Sequence, residues 1–339
     1  MTPVKIDIFC HILPPAYFDR MTAISTRGAY LQKRVREIPA MTNLDVRFKM
    51  MDLFGDYRQV LSLSAPPIEA LGGPELTPDL ARLANDSMAE TVAKHPDRFP
   101  SFIASLPMNN PEATQREIDR AINELGATGV QIFTNVNGRP LDDLEFKPVF
   151  ATMARIDLPI WMHPSRTASF PDYQTEQQSK LEMWWVFGWP YETSVAMSRI
   201  LFAGYLDEFP NLRIITHHMG GMIPYFAGRI GPGLDQLGSR TEDEDLTRYL
   251  KQLKRRPFDY YKMFFADTAL FGNRPGMELG LSFFGVDHVL FASDFPFDPE
   301  KGTFNIRETI KDIDGLQISE AHRQQIYEGN AKKMLRLKI

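Results

Sequence analysis

Eight short apolar runs, each leading into a longer stretch, constrain this chain more than any other feature. They cover residues 5–10, 59–63, 99–104, 129–133, 159–163, 213–216, 263–266 and 289–293. The runs are rich in Val, Ile and Phe and nearly continuous rather than alternating, as strands buried on both faces of a parallel sheet are. Helical stretches lie between them. Residues 79–95 set Leu80, Leu83, Ala84, Met88 and Val92 at mostly three- and four-residue spacing, and Pro96 ends the pattern. Pro111 opens another helix that runs through Leu125 and stops at Gly126, the asymmetry expected of helix ends. This alternation predicts an α/β chain folded as a single (β/α)8 barrel. Its 339 residues exceed the ~250 typical of that fold, so some loops must carry insertions. A doubly wound open sheet is the alternative, weakened because no Gly-x-Gly-x-x-Gly follows the first run.

Composition narrows the functional classes. Lys and Arg total 38 against 43 Asp and Glu, a net charge of −5. That balance, without an extended basic run, argues against a nucleic-acid or anionic-membrane partner. No apolar stretch approaches the roughly 18 residues of a membrane span. The N-terminal segment lacks the basic start and apolar centre of a signal peptide. The one cysteine, Cys10, excludes an intrachain disulfide and a cysteine-based zinc cluster. No repeat or linker-like block marks a boundary, so residues 1–339 read as one domain of a cytoplasmic enzyme.

Polar residues gather where the runs end. His11 follows the first, His163 closes the fifth, His217 and His218 follow the sixth, and Asp294 follows the eighth. In a barrel these positions share the C-terminal face, where active sites of the fold lie. Imidazoles with one carboxylate suit a divalent ion, zinc first. His95, His288 and His322 sit in segments that suggest structural roles. Adjacent side chains on a strand face opposite ways, so one of His217 and His218 is expected in the pocket and the other outside it. Two long connections, 12–44 and 164–191, are expected to form lids or pocket walls. The second contains Trp184, Trp185, Phe187 and Trp189.

The segment Asp7-Ile8-Phe9-Cys10-His11-Ile12-Leu13-Pro14 resembles the first-strand motif of the amidohydrolase superfamily. It is most similar to the branch of aminocarboxymuconate-semialdehyde decarboxylase. The resemblance recurs at Trp161-Met162-His163-Pro164, at His218-Met219-Gly220-Gly221 and at Gly228-Arg229-Ile230. It continues at Ala292-Ser293-Asp294-Phe295-Pro296-Phe297 and at Gly329-Asn330-Ala331, in order along nearly the whole chain.

The resemblance implies a site. His11, His163 and Asp294 would hold a divalent metal, Zn²⁺ first and Mn²⁺ second, and His218 would act as the base. Asp294 would also shuttle a proton, while Trp185 and Phe297 would contact substrate. Arg229, eleven residues after His218 (229 − 218), would bind a substrate carboxylate across a subunit boundary, which implies a homodimer. One position departs from the pattern: the family's first ligand, a His or Glu, is here Phe9. Cys10 should face the opposite side of the strand and not replace it. The implied activity is non-oxidative decarboxylation of a small aromatic or muconate-type acid. A hydrolase acting on a lactone or ring-cleavage product is the alternative, and a non-catalytic binder with a degenerate site comes third. Arg34, Arg36 and Arg47 are expected to be solvated loop residues or to hold a second carboxylate.

Overall fold

The computed structural model describes residues 3–24 and 29–339. Strands form at all eight apolar runs. They are β1 (Lys5–Ile12), β2 (Tyr57–Leu63), an interrupted β3 (Ser101–Phe102 and Ala104–Ser105) and β4 (Val130–Phe133). β5 (Ile160–His163), β6 (Ile214–Thr216), β7 (Phe265–Asp267) and β8 (Val289–Leu290) complete the set. All pair in parallel with their sequence neighbours. Across the break in β3, the Ile103 N–H donates to Leu61 and the Ala104 N–H to Gly129, so one segment serves both flanking strands. The ring closes between β8 and β1, where the Ile8 N–H meets the Phe291 carbonyl at 3.0 Å and the His11 N–H meets Phe295 at 2.7 Å. The fold is a (β/α)8 barrel.

Side chains fill the barrel rather than lining a pore. Ile6, Ile8, Phe9, Val60, Trp161 and Ile215 form an inner cluster, stoppered at the bottom by Ala331, Met334 and Leu335 of the helix Asn330–Leu335. The β1–β2 register slips between Asp7 and Cys10. This irregularity turns both Ile8 and Phe9 inward, where strict alternation would turn one of them out. Cys10 packs in the outer layer, as expected, with Sγ 3.8 Å from the Tyr57 hydroxyl.

Helices Thr77–Lys94 and Pro111–Asn123 lie where the spacing predicts. The second is capped by Asn110, whose side chain accepts the Ala113 N–H at 3.0 Å. The long connections are more helical than loop-like. The first carries Pro15–Ile24, Ala29–Arg36 and the turn Pro39–Met41; the second carries Met183–Val186 and the start of Gly188–Phe202. Among the described residues no helix is long and apolar enough to cross a membrane.

Candidate active site

Strand ends bring four donors together at the mouth of the barrel. His11, at the top of β1, sets Nε2 at 3.0 Å from Asp294 Oδ1 and Nδ1 at 3.2 Å from the Ser62 hydroxyl. His163 closes β5 and donates Nδ1–H to the Pro164 carbonyl at 2.7 Å. The register pairs Met162 with Thr216, which places His163 beside His217 on the neighbouring strand. His217 binds the Asp267 carboxylate through Nδ1, and its Nε2 lies 3.3 Å from Asp294 Oδ1. Donor atoms of His11, His163 and His217 all fall within 4.8 Å of one another. All three histidines are buried.

His217 corrects an expectation. Alternation would have sent one ring of the His217–His218 pair behind the wall, but β6 ends at Thr216 and the pleat ends with it. His217 keeps an extended backbone (φ −75°, ψ 155°), while His218 and Met219 both adopt φ of 54°. That left-handed turn folds both imidazoles inward, with ring centroids 3.8 Å apart. His218 is the more accessible of the two, with 12% of its side chain exposed and Nε2 3.8 Å from Asp294 Oδ2.

Electrostatics tie the cluster together. Burial penalises the Asp294 carboxylate, yet its contacts with His11, His217 and His218 hold its pKa well below the usual range. Burial also opposes charge on His217, but the carboxylates of Asp267 and Asp294 prevail and push its pKa up to about 10. Burial, then the neighbouring His11 and His217, drives the His163 pKa well down. Burial and His217 lower that of His218. Two buried carboxylates facing these imidazoles form a pocket that a divalent cation would neutralise. The separations of 3.0 and 3.3 Å from Asp294 Oδ1 match the edges of a coordination shell. Bonds near ~2.1 Å place adjacent ligands about 3.0–3.4 Å apart. The buried His217 Nε2 has no hydrogen-bond partner. These residues therefore fit a divalent metal.

A polar frame beneath the site holds β1 against its neighbours. The buried Asp7 carboxylate accepts the Tyr57 hydroxyl at 2.6 Å, the Phe9 N–H at 3.2 Å, and both the N–H (3.1 Å) and the hydroxyl of Ser293. This anchors the residue preceding Asp294, itself at φ 61°. Arg47 is wholly buried, contrary to the expectation of a solvated or substrate-binding loop arginine. It donates to Gln59 Oε1 at 2.8 Å and to the His11 carbonyl at 2.7 Å, so it positions β1 instead. Helix Leu44–Met51, opened by an Asn43 cap, turns Arg47 inward. Burial lowers its pKa to about 10.

Two depressions flank the cluster. One, of about 1160 Å³, is lined by Glu69, Phe133, Arg166, Trp184 and Trp189 among others. The rings of Phe133 and Trp189 lie 5.1 and 5.3 Å from that of His163, so this cleft opens beside the donors. The other, of about 490 Å³, includes Arg34, Trp185, Phe271 and Phe297. Phe297 lies 5.5 Å from the His11 ring, and the Arg34 guanidinium sits 5.7 Å from Trp185 and 5.1 Å from Phe297. Arg36 is exposed. Arg229 is exposed on the helix Ala227–Asp235 and makes no side-chain hydrogen bond or ion pair among the described residues. Sequence reasoning missed Asp267 and Ser62. Asp267 directly follows the seventh apolar run, so the strand-end rule that found Asp294 extends to it.

The chain matches the amidohydrolase family over residues 6–337. It is 34% identical over 351 residues to a gamma-resorcylate decarboxylase of Rhodococcus jostii, covering 99% of this chain and 95% of the relative. It is 28% identical to the 2-amino-3-carboxymuconate-6-semialdehyde decarboxylase of Dictyostelium discoideum, with 98% and 92% covered. Among solved structures, a dihydroxybenzoic acid decarboxylase from Polaromonas with bound manganese and the inhibitor 2-nitroresorcinol superposes with a TM-score of 0.80. Its identity is 27%, covering 100% of this chain and 98% of that one. The chain belongs to the amidohydrolase family, in the branch that includes the aminocarboxymuconate-semialdehyde decarboxylases.

Proposed function

We propose that this protein is a metal-dependent, non-oxidative decarboxylase of a small hydroxylated aromatic acid, one barrel domain that works as a homodimer. The observation that carries this is the buried nitrogen–oxygen donor set at the strand ends, beside a cleft whose walls include Phe133 and Trp189. The decarboxylase names of its relatives support it. His11, His163 and Asp294 would hold the ion. Manganese moves ahead of the zinc expected from sequence, because a structural relative contains it. A bound divalent ion supplies a Lewis-acidic centre for substrate oxygens. His218, the most accessible imidazole of the group, takes a proton from solvent or by way of Asp294 and delivers it to the ring carbon bearing the carboxylate. The bond to that carboxylate then breaks, its electron pair restores the aromatic ring, and CO2 leaves. One proton is consumed for each CO2 released. Trp185 and Phe297 would border the substrate, and Arg229 would reach the partner's pocket with the planar fork that suits a carboxylate.

The test supplies 2,6-dihydroxybenzoate, then other hydroxylated benzoates, to the manganese-loaded protein and follows both products. Equimolar CO2 and the decarboxylated phenol are expected. A product heavier by one water, or no CO2 from any of these acids, would overturn the proposal.

A further inference from the structure

We infer that His217, oriented by Asp267, is itself a metal ligand and supplies the coordination position lost at Phe9. The ion would then be held by His11, His163, His217 and Asp294. This rests on the metal-dependent function proposed above and deepens it.

Phe9 stands where the family pattern carries a His or Glu, and its ring still faces inward. It lies 5.2 Å from the His11 ring and 5.8 Å from that of His163. It stacks on His217 at 4.0 Å with an interplanar angle of 18°. The phenyl ring therefore fills the missing ligand's volume and provides a flat apolar backing for another imidazole. That backing and the Asp267 carboxylate fix the orientation of His217. Asp267 is itself immobilised, because its Oδ1 accepts the backbone N–H of His218 at 3.0 Å and of Ala269 at 3.1 Å. A carboxylate behind a histidine is how proteins orient a ligating imidazole and raise its basicity.

The remaining nitrogen of His217 points to a ligand. Nε2 is buried and has no hydrogen-bond partner, although buried polar atoms seldom go without one. It faces Asp294 Oδ1 at 3.3 Å and belongs to the same trio as the donors of His11 and His163. Each of those three histidines has Nδ1 engaged by an oxygen, which turns Nε2 toward the cluster. The oxygen facing His217 Nε2, Asp294 Oδ1, is shared with His11 Nε2, as a common ion between the two rings would require. The adjacent pair thus divides the work: His217 binds the ion, and the more exposed His218 stays free to move protons. A second trio, His217, His218 and Asp294, also lies within coordination range, so the test must separate the two.

Metal-free protein, its fold checked by thermal melting, is titrated with Mn²⁺ by calorimetry. Wild type should bind one ion. H163A and H217A should each lose more than the roughly 10- to 100-fold that removal of a supporting partner costs, and D267N should lose about that amount. H218A should bind within a few-fold of wild type. Should H217A fail to fold, Cu²⁺-loaded wild type is read by electron paramagnetic resonance, where coupling to three imidazole nitrogens is expected. Absence of Mn²⁺ binding by wild type would sink the metal-dependent function itself. Binding that survives H217A and D267N unchanged, or coupling to only two nitrogens, would sink this inference alone. Loss of Mn²⁺ in H218A as severe as in H163A would move the ion to the second trio and overturn it as well.

Discussion

Replacing Glu69 by Gln should stabilise the protein by an amount that grows with pH. Glu69 lies on the turn Ile68–Ala70 in the wall of the larger cleft, yet it is only 3% exposed, and its Oε1 has no hydrogen-bond partner. Burial raises its pKa from 4.5 to about 8. The folded protein therefore holds this proton more tightly than the unfolded chain. Below the unfolded value both states are protonated and there is no penalty. Between the two values the unfolded state ionises first, and stability falls by about 1.4 kcal/mol per pH unit. Above the folded value both are ionised, and the loss levels off near 5 kcal/mol, an order-of-magnitude ceiling.

Glutamine does not titrate, so the variant escapes that slope. The gap in unfolding free energy between E69Q and wild type should widen by roughly 2–3 kcal/mol from about pH 5.5 to 7.5. Urea unfolding at constant ionic strength measures it, with equal m-values as the check that the denatured states match. Every other titrating group is common to both proteins and cancels in the difference. A gap that stays constant within about 0.5 kcal/mol across that range would refute the reasoning.

Four further outcomes follow from the site. Arg47→Ala should cost about 3 kcal/mol or more in urea unfolding, since two buried acceptors lose their donor and a void opens where the helix Leu44–Met51 packs on the strands. His218→Ala should lower kcat by roughly 10²- to 10⁴-fold while elemental analysis shows the metal retained, and parallel loss of metal would reassign the residue. Chelation should abolish CO2 release, and added Mn²⁺ should restore it further than Zn²⁺ does; the reverse order of recovery would return zinc to first place. Arg229→Ala and His218→Ala subunits, each impaired alone, should regain activity when mixed, because a mixed dimer contains one site with both groups. No recovery after proven subunit exchange would exclude a shared site.

The barrel was legible because its strands are buried on both faces, which forces the continuous apolar runs at residues 5–10 and 159–163 and their counterparts. The placement of His11, His163 and Asp294 at the mouth of the barrel was legible for a related reason. A polar residue directly after such a run lies where the core ends and the pocket begins. Arg47 was not legible. It reads as one of three loop arginines, and nothing local reveals that Gln59, twelve positions on, and the carbonyl of His11 both wait for a buried donor. Such pairings are set by the ring of strands, not by neighbours in the chain.

His217 shows the same limit at finer scale. Strand alternation is a sound rule while the pleat lasts, and it failed one residue beyond Thr216, where the backbone turns left-handed at His218. A non-glycine residue at positive φ has no reliable mark in sequence, and such positions persist where the surrounding structure compels them. Here the compelling group is Asp267, which binds the ring of His217 and the backbone N–H of His218 together. The same carboxylate thus produces the turn and aims the imidazole. Phe9, which from sequence alone suggested a damaged site, completes that arrangement by stacking against the ring that Asp267 holds. If His217 binds the ion as inferred above, Phe9 on β1 and His217 after β6 act as a pair, the first backing the ring and the second supplying the nitrogen.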